Sequence, residues 1–437
     1  MRHTVPLAPL LRRVLRSKAG GTLTLTAVVF PAVLGFSGLA LDGAHWYQQR
    51  RDTQSMVDAA AVAGAYAKLN QQSLDQIRDI VLEEAVRNGY EDVAVNEILV
   101  ADVSGNGGTG VSLPLVDVVV RRQVPFYFAG LFLGGESTTI AARAVSGVRN
   151  LGPQCVIALD ETAARAIEFT GNTTADIGCG VASNSDSNEA LYISGDAILE
   201  ANPAQAFGDI AIEGSGTLIS ELPPLPFSPR VDDPFAGLAP PPSPPCDLSG
   251  TGNQPVKISD SSEVVDANGD GFTTFCGGIE FGGTLTLDSG TIVVRNGDFT
   301  TKGNTNVSGS DVTVMLTGDG PSDVGNVHLN NNTVMDLSAP TSGPFAGLVF
   351  YQDPKAETPD DSLFNGGVNL DLDGAIYMPA SHIEFSGGAG NPNNCLQLVS
   401  RTITFIGNSF VRNDLTVCED LGLATGGSTQ RQVVLLE

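Results

Sequence analysis

The chain has 437 residues, with 51 glycines, 25 prolines, only 6% aromatic side chains and a formal net charge of −26. Arg2, Arg12, Arg13, Arg16 and Lys18 stand in the first 19 residues without an acid, whereas residues 151–437 carry 36 Asp and Glu against 9 Lys and Arg. So acidic a main body excludes nucleic acid and anionic lipid as its partners and reads as a solvated surface, with multivalent cations the remaining ionic ligand class.

The length suits two or three domains. From Ala19 to Leu41 no side chain is charged. As a helix, Gly21–Leu41 extends roughly 31 Å, about the hydrocarbon thickness of a bilayer. Signal-peptide apolar regions are shorter, about 7–15 residues. Residues 1–19 therefore read as a basic cytoplasmic tail and 20–41 as a retained transmembrane helix, with the rest of the chain sent outward by the positive-inside rule. Pro31 falls inside this helix, which a membrane helix tolerates. Gly38-Leu39-Ala40 is a small-x-small triplet acceptable to a signal peptidase, so a cleaved form beginning at Leu41 is the alternative. Trp46 and Tyr47 stand where an interfacial aromatic belt would. A stalk helix continues over 42–72. Met56, Ala60, Ala63 and Ala67 line one of its faces, which suits close packing on this protein's next domain or on a partner helix.

Residues 73–150 read as a small α+β module. "SLDQIRDIVLEEAVRNGY" is a helix that Ser73 caps and Gly89 ends, with Leu74, Ile77, Val81 and Ala85 on one face. "DVAVNEILVADV", "SLPLVDVVVRRQV" and "STTIAARAVSGV" alternate like strands, and "PFYFAGLFL" between the last two reads as a short apolar helix.

In residues 151–437 one phrase recurs: an apolar residue, a polar residue, Gly-Asn or a near equivalent, then alternation. Examples are "FTGNTTADI" at 169, "ISGDAILEA" at 193, "TKGNTNVSGS" at 301, "LNNNTVMDLS" at 329 and "FIGNSFVRND" at 405. Where close together, the phrases recur about every 20–28 residues, a period that marks a solenoid. Short strands broken by Gly and Asn corners fit a parallel β-helix, each strand stacked on its equivalent one coil later, right-handed by the usual crossover rule. An antiparallel sandwich or barrel is the other architecture with many short strands. Between 223 and 245 ten prolines exclude a central strand or helix and leave an extended connector lying on or between repeats. The six cysteines are Cys155, Cys179, Cys246, Cys276, Cys395 and Cys418. An even, widely spaced set without CxxC points to disulfides in an oxidising compartment, with buried free thiols the alternative. Joining sequence neighbours (155–179, 246–276, 395–418) is the simplest of the possible pairings.

The stretches "AGGTLTLTAVVFPAVLGFSGLALDGAHWY" and "QQRRDTQSMVDAAAVAGA" resemble the N-terminal segment of TadG-like proteins of bacterial Flp/Tad pilus assembly. The features are the glycine before the apolar run, Pro31, Gly38, Ala40, Asp42, the aromatic cluster and the "DAAAVAGA" helix. "VPFYFAGLFLGGESTTIAARAVSGV", "CVIALD", "APTSGPFAGLVFYQD" and "LDGAIYMP" extend the resemblance over most of the chain. It implies a retained inner-membrane anchor. A prepilin would carry Glu five residues into its mature chain; Leu25 and Thr26 stand there instead, which departs from prepilin processing. "ALDETAARA" does not supply the metal site of the von Willebrand-type A domain found in some relatives.

Catalytic motifs are absent from the sequence: the four histidines are His3, His45, His328 and His382, with no G-x-S-x-G, H-E-x-x-H or P-loop. In "DANGDGF", Asp266, Asn268 and Asp270 take positions 1, 3 and 5 of an EF-hand-like loop and Gly271 takes position 6, but position 12 is Gly277. A polar turn is the plainer reading and a weak calcium site the sharper one. Asp371 and Asp373 alternate in "NLDLDG" and share a strand face, as an acid–base pair or as a solvated surface. The expectation is therefore a non-enzymatic, cofactor-free structural component of pilus assembly, with its body in the periplasm. Its partners would be the inner membrane, other Tad assembly proteins or pilin-like subunits, and envelope glycans. A polysaccharide-binding or polysaccharide-cleaving β-helix, or a surface adhesin, is the rival.

Overall fold

The computed structural model describes residues 21–91, 96–105, 113–150, 152–238, 244–251, 254–357, 361–365, 369–388, 390–413, 418, 423 and 431–436. The basic tail at 1–19 and the middle of the proline-rich stretch, 239–243, lie outside them. The chain divides into two compact units, one of residues 1–149 with 431–437 and one of 150–430.

In the first unit a single helix, α1, runs unbroken from Gly21 to Leu69 through Pro31. After a short turn, α2 (Leu74–Arg87) opens on a capping box: the Ser73 hydroxyl accepts from the Gln76 amide, and the Gln76 side chain accepts from that of Ser73. Strands β1 (Glu97–Gly105), β2 (Leu113–Pro125) and β3 (Ser137–Asn150) form an antiparallel meander. Residues Arg431–Leu435 add a fourth strand beside β3. The small residues of α1 explain its packing. Met56, Ala60 and Ala67 are buried with Ile77, Val81 and Ala85 of α2 and Val116, Val118 and Val120 of β2. At Gly64 a Cβ would stand 2.7 Å from Val81 and 3.0 Å from Val116, so the close approach depends on that glycine. The alanine face thus packs on its own unit.

The second unit is a parallel β-solenoid of about ten coils. One coil comprises strands Gln154–Ala158, Ile167–Phe169 and Thr174–Asp176; the next comprises Gly180–Ser183, Leu191–Ile193 and Ile198–Glu200, each paired in parallel with its equivalent. The corner of the recurring phrase is where the chain turns left-handed. Gly171, Gly195, Gly214, Gly387 and Gly407 all have φ between 63° and 81° there. Asn304 and Asn332 take φ of 60° and 58° at equivalent corners, and their side chains hydrogen-bond at 3.3 Å. Inside, Phe364, Phe385, Phe405 and Phe169 form a continuous ring stack with centroids 4.8, 4.9 and 4.8 Å apart. This is the aromatic form of the one-coil-later stacking expected from the repeat.

The stack does not follow chain order. From one end, the lead strands are Leu248–Ser249, Phe272–Cys276, Gly290–Arg295, Val312–Thr317 and Leu348–Gln352, followed by the middle of Asn369–Phe385 and the start of Leu396–Phe405. The next strand is Gln154–Ala158, then Gly180–Ser183 and Ala204–Ala206. The chain therefore enters mid-stack, winds to one end, crosses to the other, and winds back until its last coil rests on its first. At this seam Leu398 pairs with Val156, Phe405 stacks on Phe169, and the Asn172 side chain donates to Asn408 at 3.2 Å. The parallel ladder makes the seam possible, because any coil presents the same pairing edge as any other.

The described parts of the proline-rich stretch, residues 223–238 and 244–245, lie along the outside of the stack. Asn184 brackets Val231 with two hydrogen bonds of 2.8 and 2.9 Å. Tyr377 donates to Asp233 at 2.9 Å, Tyr351 donates to the Leu238 carbonyl at 3.0 Å, and Arg295 reaches the Pro244 carbonyl at 3.4 Å. Cys246 then bonds to Cys276. Nine strand spacings of about 4.8 Å make about 43 Å, and some twenty residues in polyproline form reach about 60 Å, so the connector is long enough. Beneath it lies an outward column in strict register, Val293, Met315, Tyr351, Tyr377, Val399, Ile157 and Ala182, buried as a second core.

Candidate functional site

The first unit concentrates its unusual chemistry where α1 leaves its apolar stretch. Asp42 is completely buried, and its carboxylate accepts the amides of Tyr127 at 2.9 Å, Phe128 at 2.8 Å and Ala129. A carboxylate so placed requires donors, and three consecutive backbone N–H groups meet that need. They open the single turn α3 (Gly130–Leu133) between β2 and β3. Phe128 lies against Gly38, where a Cβ would come within 2.7 Å of its ring, and the Phe132 ring reaches Gly35. Trp46 packs on Phe126 with centroids 5.6 Å apart and His45 on Tyr127 at 4.9 Å. Gly38, Asp42 and the aromatic cluster, separate features in the sequence, thus form one joint. Beside it a pocket of about 300 Å³ is lined by His45, Gln49, Glu91, Arg122, Gln123 and Tyr127 among others. Along α1 itself, Phe30, Val33, Leu34, Phe36 and Leu41 are exposed, whereas Met56, Val57, Ala60 and Ala61 are buried. The helix is long and apolar enough to cross a membrane.

The body holds the other candidates. The six cysteines form three disulfides, Cys155–Cys179, Cys246–Cys276 and Cys395–Cys418, with Cα separations of 5.8, 5.8 and 4.8 Å. Each closes a loop of 23 to 30 residues, worth about 3.5 kcal/mol in the chain-entropy account. Asp266, Asn268 and Asp270 lie together in an exposed turn between strands. Asp266 accepts the amides of Gly269 at 2.7 Å and Gly271 at 2.8 Å; Asn268 accepts that of Asp270 at 2.9 Å, and Asp270 that of Phe272 at 3.0 Å. The Gly271 amide, before the other loop amides, holds the Asp266 carboxyl below its usual range. These are the hydrogen bonds of a self-capped polar turn. Among the described residues no group of three or more His, Cys, Asp or Glu side chains gathers as a metal site.

Asp371 and Asp373 share one face of the solenoid, and Asp336 is the register partner of Asp371 one coil away. Burial first, then Asp336 and Asp373, push the Asp371 carboxyl up. Burial also raises that of Asp373, against the lowering effect of the Cys395 amide. Asp336 was missed in the sequence because its nearness to Asp371 depends on coil stacking across 35 residues. The partners of Asp42 were missed for a like reason, lying 85 to 87 residues away.

No curated protein and no solved structure matches this chain. Residues 20–67, which include Gly38, Asp42 and the alanine face of α1, match the family model "Putative Flp pilus-assembly TadE/G-like".

Proposed function

We propose that this chain is a structural component of Flp/Tad-type pilus assembly, held in the bacterial inner membrane by one pass of α1. The tail 1–19 is cytoplasmic in this reading and the body is periplasmic. The carrying observation is the change of burial along one helix: its apolar residues are bare from Phe30 to Leu41 and its small residues are packed from Met56 onward, within the segment that matches the Tad family. Bare apolar length of that extent is soluble only in lipid or against a partner. The disulfides support an oxidising location for the body. A stacked solenoid supplies a long, regular surface for protein or envelope contacts and needs no catalytic step to act.

Protease added to spheroplasts is the test. The body should be digested from outside, leaving a membrane-retained fragment that includes α1, and a strain lacking the chain should fail to assemble Flp pili. A body that stays protected until the cells are lysed would end this reading.

A further inference from the structure

The tip between β2 and β3 is apolar throughout: "FYFAGLFLGG" from Phe126, with Gln123 and Glu136 as the first strongly polar side chains on either side. Leu131, Phe132 and Leu133 are 84%, 63% and 65% exposed, more than a water-facing turn of this composition would leave bare. Most of its amides are paired within the protein. The amides of Tyr127, Phe128 and Ala129 go to Asp42, that of Phe126 to the Glu136 carbonyl, and those of Leu131, Phe132, Leu133 and Gly134 to carbonyls within the turn. Hydrocarbon favours such pairing, because an unpaired backbone group there costs several kcal/mol. The tip also lies alongside the apolar run of α1. Phe128 touches Gly38 and Phe132 touches Gly35, seven residues before Asp42, or about 10 Å along the helix.

We propose that Phe126–Gly134 is a second membrane element, a wedge sunk into the lipid acyl region on the outward side of the bilayer beside α1. The proposal rests on the reading of α1 as a membrane span. If the residues around Gly35 lie in lipid, a side chain touching Gly35 lies at the same depth. The wedge then fixes the tilt and rotation of the unit on the membrane, where a single helix would leave it free to swivel.

All described cysteines are disulfide-bonded, so one introduced cysteine is a unique labelling site. Leu131→Cys, Phe36→Cys and Val86→Cys, each at an exposed position, are made in the full-length protein and labelled with a polarity-sensitive fluorophore. They are reconstituted into phosphatidylcholine vesicles carrying a doxyl group near the headgroup end of the acyl chain. Trp46, the sole tryptophan, packs on Phe126, and its emission reports that the tip is in place in each variant. The expected result is blue-shifted, doxyl-quenched emission at 131 and 36, and neither effect at 86. Quenching at 36 without quenching at 131 overturns the wedge and leaves the span standing. No quenching at either position overturns both. A covalent dimer through position 131 on mild oxidation, without quenching, assigns the face to a second copy and also overturns the proposal.

Discussion

In the first unit one carboxylate, Asp42, holds three consecutive amides far along the chain. In the body five glycines at positive φ stand on one another: Gly387 under Gly407, then Gly171, Gly195 and Gly214. The first arrangement is a single joint built from unlike parts. The second is one part repeated, held by neighbours identical to itself. A lesion in the joint therefore has no substitute, whereas a lesion in the ladder is graded by how closely the next coil approaches.

The ladder yields the largest expected effect. At Gly171 a Cβ would meet the backbone of Gly407 at 2.9 Å, and φ is +75°. Gly171→Val should destabilise the body by about 4 kcal/mol, read as a lowered denaturant midpoint. Gly269 has the same φ of +75° but open space around it, so Gly269→Ala should cost only about 1 kcal/mol. Equal losses at the two sites would break the claim that inter-coil approach sets the grade.

The joint comes next. Asp42→Ala leaves three amides without their acceptor and should lower the stability of the first unit by about 3 kcal/mol, with Asp42→Asn in between. Protease resistance of detergent-solubilised protein at β2 and β3 measures it, and cleavage sites in the solenoid should not change.

Tyr377→Phe sharpens the account of the connector. It removes the 2.9 Å bond to Asp233 while keeping the ring against Phe235, and should cost about 1 kcal/mol. Faster cleavage near Asp233 on limited proteolysis is the readout.

The smallest effect belongs to Asp371. Its carboxyl is raised, so the folded chain holds that proton more tightly than the unfolded chain does. The resulting stabilisation is complete below the unfolded value, about pH 3.9, and is lost as pH rises through the folded one. Asp371→Asn, neutral throughout, should melt slightly higher than the parent near neutral pH and match it in acid. A variant that melts no higher than the parent near neutral pH would break this account.

What the sequence made legible follows this division between repeated and unique parts. The apolar run to Leu41, the alanine face, the Ser73 cap and the Gly-Asn corner phrase are local signals, and each appears in the fold as helix, packing, cap or left-handed turn. Cys155 pairs with Cys179 and Cys246 with Cys276 because adjacent coils bring them together. The seam carried no signal, since the pairing of Leu398 with Val156 has the same chemistry as that of Val156 with Val181. Only the proline run hinted at a detour, and only a structure reveals its direction. Arg431–Leu435, a short run of two polar and three apolar residues, gave no sign that it would pair with β3. "DANGDGF" reads alike as a polar turn or a cation loop because both place the same side chains at the same spacing and both bond loop amides to them.

The seam also has a consequence for how the protein is made. A chain made from its N-terminal side presents the coils of residues 154–219 first, with Val156 and Phe169 facing an absent neighbour until residues 396–413 arrive. Strand β3 waits even longer for residues 431–435. An interrupted product thus bears one raw pairing edge in each unit, the kind of exposed edge that invites misassembly.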